Sequence, residues 1–186
     1  SLPYKLPVVI SGIKYPNEKL ISKLSNVCGY TSKIDFVHLL ENARRVFPNR
    51  TEVICVSDSS LLGLKGVAEL ERIWPNFQEL HPEYKMKVMN VQSQAPNPVI
   101  SSICYDYNAY NRIVIAPKWT PFLSFIGKNS KAPVFAGQSL ALTNGVFCVH
   151  DMEPYEGANA AGKCAAQVLQ GAIPSVIGVV DLPGKL

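Results

Sequence analysis

The sequence predicts an α/β protein of doubly wound, mainly parallel sheets, and three observations carry that prediction. Short β-branched runs recur along the chain, and several are apolar throughout instead of alternating, as strands covered on both faces must be. Between them lie stretches with apolar residues every three or four positions. The two kinds of segment alternate, which implies right-handed βαβ units with parallel neighbours.

Strands are expected at 7–10, 53–56, 86–89, 113–116, 134–136, 146–149 and 176–180. A first helix follows from Ile34, Val37, Leu40, Ala43 and Phe47, ending before Pro48-Asn49. A second covers 62–80, led in by the capping candidates Asp58-Ser59-Ser60, with Pro75 expected to break or kink it. Further helices are expected over 99–110 and over 119–128, where Pro121 suits the first turn. The last spans 153–170: Ala158, Ala161, Ala165 and Val168 form a small-residue stripe to lie on a sheet, Gly157 and Gly162 allow close backbone contact, and Gly171 stops the helix.

With 186 residues, 47% apolar and 17% charged, the chain can bury a core as one large or two small domains, which excludes disorder, collagen-like and coiled-coil assemblies. No apolar run approaches the roughly 20 residues that span a bilayer, and no cationic segment precedes an apolar stretch at the N-terminus, so a soluble chain without a signal segment is expected. The net charge of +4 is scattered and forms no basic block, which argues against a nucleic-acid partner. Cys28, Cys55, Cys104, Cys148 and Cys164 form no C-x-x-C and mostly sit in apolar runs. They read as buried small hydrophobes, with no metal or disulfide role, and lean toward a reducing compartment. His38, His81 and His150 show no ligand spacing and read as surface or capping residues.

In a doubly wound sheet, ligands bind outside the carboxyl ends of the strands. Those ends carry Ser57-Asp58-Ser59-Ser60, Pro117-Lys118-Trp119-Thr120 and Gly137-Gln138-Ser139. Hydroxyls, an amide and helix N-terminal N–H groups suit a small polar ligand, and Trp119 offers a stacking face; helix capping is the competing explanation for each Ser and Asp. Catalytic patterns are poorer. Gly137-Gln138-Ser139-Leu140-Ala141 starts like a nucleophile elbow but lacks the second glycine, and no phosphate-cradling glycine motif occurs. Asp58 could act as acid or nucleophile, yet nothing near it in sequence activates it. No cofactor is implied.

Pro133-Val134-Phe135-Ala136-Gly137, Gly145 before a strand, Asp151-x-x-x-Tyr155-x-Gly157 opening a small-residue helix, and Leu169-x-Gly171-x-x-Pro174 together resemble the C-terminal half of type I periplasmic binding proteins. The nearest groups are ABC-transporter substrate-binding proteins and the extracytoplasmic sensor domains of histidine kinases. Asn26-Val27-Cys28-Gly29-Tyr30 entering a helix, and Phe47-Pro48-Asn49-x-Thr51-x-Val53, fit that family's passage into its second lobe. The resemblance implies two α/β lobes that close over a small molecule: 1–30 with 118–186 as lobe one, lacking its first strands, and 31–117 as lobe two. It further implies a non-catalytic, extracytoplasmic (periplasmic) binding domain, with the sensor of a two-component histidine kinase ahead of the transporter-linked binding protein. Ligand-binding residues are then expected at Tyr30, Ser57, Asp58, Ser59, Trp119, Thr120, Gln138 and Ser139. A small-molecule ligand is the expected partner, a homodimer is allowed, and a membrane enters only through flanking segments. Two other classes stay open: a small-substrate α/β hydrolase acting through Asp58 or Ser139, and a ligand-free interaction module that pairs through a sheet edge.

Overall fold

The structure, a computed structural model, describes residues 6–91, 100–118, 121–151 and 154–184. Its strands are β1 (Val8–Lys14), β2 (Val27–Ser32), β3 (Glu52–Ser57), β4 (Lys85–Asn90), β5 (Arg112–Ala116), β6 (Val134–Ala136), β7 (Cys148–Val149) and β8 (Val179–Leu182). Its α-helices are α1 (Glu18–Ile21), α2 (Phe36–Val46), α3 (Leu61–Leu80), α4 (Pro121–Asn129), α5 (Pro154–Leu169) and α6 (Pro174–Ile177). Each strand pairing is parallel, as expected of the α/β class. Among the described residues no helix is long and apolar enough to cross a membrane.

The chain forms two compact units, 1–33 with 152–185 and 34–151. The first passage between them, at 33/34, lies close to the expected 30/31. The second lies at 151/152 and not at 117/118. The cause is β6 and β7, which hydrogen-bond in series onto β5 and so keep residues 118–151 with the sheet that β3 begins.

The unit of two chain segments carries a three-stranded sheet in the order β1-β2-β8, against which α5 packs. Residues 27–30, expected to enter a helix, are the central strand of this sheet. Gly29 explains the residue choice: its φ is +132°, and a β-carbon there would collide with the Ile10 carbonyl of β1. The run expected at 176–180 is divided, because Pro174 starts the short α6 and Gly178, at φ +72°, turns the chain into β8. The face that α5 buries also differs from the expected stripe. Gly157 and Cys164 are buried and Ala161, Ala165 and Val168 half-buried, whereas Ala158 and Gly162 face solvent. Beyond its chain neighbours and its own helix backbone, no atom lies within 4 Å of where a Gly162 β-carbon would stand.

The contiguous unit has a five-stranded sheet in the order β4-β3-β5-β6-β7. Ile54, Val56, Val114, Ala116, Val134 and Ala136 share one face and pack with Leu123 and Ile126 of α4 and with Ile103, Ala141 and Val149. The alternate positions Val53, Cys55, Ile113, Ile115 and Phe135 are buried too, which is why these strands read as unbroken apolar runs. α3 passes through Pro75 without a break. Pro75 and the Glu71 whose carbonyl it cannot bond are both on the exposed side, while Ile73, Trp74 and Phe77 anchor the opposite side. The helix expected over 99–110 is instead a π-helical turn, Ser101–Tyr105, and a 3-10 turn, Tyr107–Asn111. Asp106 separates them in extended backbone, its carboxylate accepting from the Asn108 N–H at 2.9 Å and from Arg112 at 2.7 Å.

Candidate functional site

Within the contiguous unit the order β4-β3-β5-β6-β7 places the unit's second strand on one flank of its first and the third on the other. The chain therefore reverses direction across the sheet between β3 and β5. Connections leave the two strand ends toward opposite sides there, opening the crevice where such sheets take ligands. Ser57 closes β3 and Asp58, Ser59 and Ser60 follow it; Lys118 stands just beyond β5.

These side chains meet. Lys118 Nζ donates to Asp58 Oδ2 at 3.1 Å and to Ser60 Oγ at 3.0 Å. Asp58 Oδ1 accepts from the Ser60 N–H at 3.0 Å and from the Ser60 hydroxyl. Ser60 is also the N-cap of α3, its Oγ accepting from the Gly63 N–H at 3.2 Å. Burial pushes the Asp58 carboxyl up, but the Ser60 hydroxyl and the Lys118 ammonium outweigh it and hold the group below the usual carboxylate range. Ser59 Oγ accepts from the Asn90 side chain at the end of β4, at 3.0 Å. Ser57 Oγ is buried and without a hydrogen-bond partner among the described residues. Gly63 lets this loop fold onto the helix start: a β-carbon there would lie 2.5 Å from the Asp58 carbonyl oxygen and 2.8 Å from Ser57 Oγ.

Gln138 and Ser139 follow β6 at the same edge of the sheet, both half-buried. The Ser139 N–H is held by Asp151 Oδ2 at 2.8 Å. Tyr30 lies in β2 and therefore in the other unit, half-buried on a strand. Trp119 and Thr120 lie outside the described residues. The structure thus brings Ser57, Asp58 and Ser59 together in one loop, with Gln138 and Ser139 at the end of a strand of the same sheet. Reasoning from strand ends had passed over Lys118 and Ser60 as site residues. Lys118 was within its reach, since it follows β5 as Ser57 closes β3.

A second polar cluster stands where the chain enters and leaves this unit. His150, buried directly after β7, accepts the Asp35 N–H on Nδ1 at 3.4 Å, and its ring stacks on His38 with centroids 6.3 Å apart. Asp35, the N-cap of α2, accepts from the His38 N–H at 3.0 Å and contacts His38 Nδ1 at 2.6 Å. Burial lowers the His150 pKa, with the Asp35 carboxylate working against it. His150 is therefore a buried strand-end histidine and not the surface or capping residue expected; its partners are Asp35 and His38. The described residues include no cluster of three or more His, Cys, Asp or Glu suited to a metal ion.

A groove of about 380 Å³ in the other unit, lined by Val8, Ile10, Ile13, Leu20, Ile21 and Leu24 among others, is almost wholly apolar. The two asparagines that border it are engaged: Asn17 caps α1 and Asn26 donates to the Leu6 carbonyl at 2.7 Å. It offers little to orient a polar ligand.

No protein-family model matches the sequence, and no curated protein matches it either. Solved structures do match in fold. The ABC domain from Streptococcus pneumonia in complex with L-Trp superposes with a TM-score of 0.72 at 20% identity, over 97% of this chain and 63% of that one. The ligand-free, open structure of CD0873, a substrate binding protein with adhesive properties from Clostridium difficile, gives 0.72 at 16% identity, over 95% and 61%. A conserved domain protein from Vibrio cholerae gives 0.65 at 15% identity, over 96% and 62%. The chain thus shares the α/β fold of these structures, with parallel sheets, and it spans about three-fifths of their length.

Proposed function

We propose that this chain is a binding module for a small polar molecule and performs no chemistry on it, with the crevice between β3 and β5 as the binding surface. The observation that carries the reading is the Lys118–Asp58–Ser60 cluster beside the buried Ser57 hydroxyl, at the point where the sheet order reverses. An ammonium and a carboxylate 3.1 Å apart can exchange partners with a ligand that carries the opposite pair, so a zwitterion such as an amino acid fits this chemistry. That one relative in fold was solved with L-Trp supports the same class. Gln138 and Ser139, at the end of β6 in the same sheet, extend the proposed surface.

We place the domain outside the cytoplasm, in a transport-linked substrate-binding protein, because the relatives in fold are an ABC domain and a substrate binding protein. The sensor setting requires a membrane segment and a kinase in the parent gene product, and the sequence of that product distinguishes the two.

The test is a thermal-shift screen of the purified chain against amino acids, sugars and nucleosides, followed by calorimetry on the hits. An amino-acid hit whose affinity falls about tenfold or more in both Lys118→Met and Asp58→Asn is expected, a loss of about 1.4 kcal/mol. Hits that bind both variants unchanged would remove the site from this crevice. In Trp119→Phe, unchanged binding would make the indole a packing group.

A further inference from the structure

The three-stranded unit holds a pair of thiols that the ligand reading does not use. Cys28, in β2, and Cys164, in α5, are both fully buried, and their sulfur atoms lie 3.1 Å apart. They belong to the two separate chain segments from which this unit is assembled, 136 positions apart in sequence. The contact is where the α5 face that includes Gly157 and Cys164 meets the sheet. The remaining cysteines, Cys55, Cys104 and Cys148, all lie in the other unit.

We propose that Cys28 and Cys164 are a redox site, which closes to a disulfide when the chain folds in an oxidising compartment and so joins the two segments of this unit covalently. A bond of about 2.05 Å requires the sulfurs to close by about 1 Å. The oxidant is a disulfide, either glutathione disulfide or a protein thiol oxidant. One cysteine thiolate attacks a sulfur of the oxidant and releases its first thiolate, leaving a mixed disulfide. The second cysteine thiolate then displaces the other thiolate, so that the S–S bond forms as the mixed disulfide breaks. The cysteine pair loses two electrons, the oxidant gains them, and the two released thiolates take up the two protons.

In the closed unit, burial and the neighbouring Cys164 thiol push the Cys28 pKa up to about 11, and neither sulfur is open to solvent. Exchange therefore occurs while α5 is docking, and the completed bond is shielded from reductant. The proposal departs at this pair from the reading of the cysteines as buried small hydrophobes without a disulfide role; Cys55 and Cys104 are buried and Cys148 is half-buried. The site is independent of the ligand crevice, and its test needs no ligand.

The chain is unfolded in denaturant with reductant, refolded in a glutathione redox buffer, and alkylated under denaturing conditions. Alkyl groups on Cys55, Cys104 and Cys148 alone are expected, with the mass lower by two hydrogens and a peptide map joining Cys28 to Cys164. Protein refolded in dithiothreitol should melt several degrees below protein refolded in the glutathione buffer, and a Cys28→Ala, Cys164→Ala double variant should show no such difference. Chain directed to a bacterial periplasm and alkylated directly gives the same reading without refolding. Five alkylated cysteines in both preparations, or a bond between any other pair, overturns the proposal.

Discussion

Alanine in place of glycine at positions 63 and 162 changes the same atoms in helices α3 and α5, and the structure gives the two substitutions opposite signs. At Gly63 the new methyl meets the Asp58 carboxylate and stands 2.5 Å from the Asp58 carbonyl oxygen and 2.8 Å from Ser57 Oγ. The carbonyl belongs to the backbone, and the carboxylate is held by Ser60 and Lys118, so neither can swing aside alone. Relief requires the loop 57–60 to move off the start of α3, and overpacking of this kind costs about 1–3 kcal/mol. At Gly162 the methyl enters open space on an exposed helical position, where replacing glycine gains about 0.5–1 kcal/mol of backbone entropy. Urea unfolding measures both. Circular dichroism follows the whole chain, and fluorescence of Trp74, buried in α3, reports on the contiguous unit. Gly63→Ala should lower the midpoint seen by fluorescence and weaken ligand binding, while Gly162→Ala should raise the midpoint of the other unit. An unchanged midpoint in Gly63→Ala would refute the packing of loop 57–60 against α3.

Other substitutions probe separate contacts. His150→Asn keeps an acceptor for the Asp35 N–H and removes a titrating ring. Because burial depresses the folded-state pKa of His150, its contribution is present above the unfolded value of about 6.5 and is lost as pH falls below it, so the variant should flatten the stability profile there, as read by melting temperature against pH. The lowered Asp58 pKa acts further down: its stabilisation is present above about pH 3.9 and is lost as pH falls through the lower folded value, and Asp58→Asn should remove that loss. Leu70→Ala, at a fully buried position of α3, should cost about 2–5 kcal/mol in urea unfolding.

Most of the sheet was legible because burial on both faces leaves unbroken apolar runs at β3, β5 and β6. β2 was hidden by Gly29 and the polar end Tyr30-Thr31-Ser32, although Thr31 and Ser32 are buried beside β8. Helix periodicity identified α2 and α3, but Pro75 suggested a break that an exposed position does not enforce. In α5, alanine alone does not reveal which side is buried; the burial of Gly157 and Cys164 does. The unit boundary depends on which strand β6 pairs with, a long-range fact that local pattern lacks. At the site, hydroxyls and Asp58 could be read from their place after strands, whereas the meeting of Asp58 with Lys118, sixty positions away, requires β3 and β5 to be neighbours.

The split make-up of the three-stranded unit sets an order of events during synthesis. β1 and β2 leave the ribosome early, but α5 and β8 follow only after the roughly 120 residues of the contiguous unit, a delay of about 6–24 s at ordinary elongation rates of about 5–20 residues per second. Throughout that interval the face of β2 that carries Cys28 has none of its final cover from α5. The contiguous unit can fold while its neighbour waits, and in that interval the uncovered face of β2 is open to chaperones or to pairing with another nascent chain.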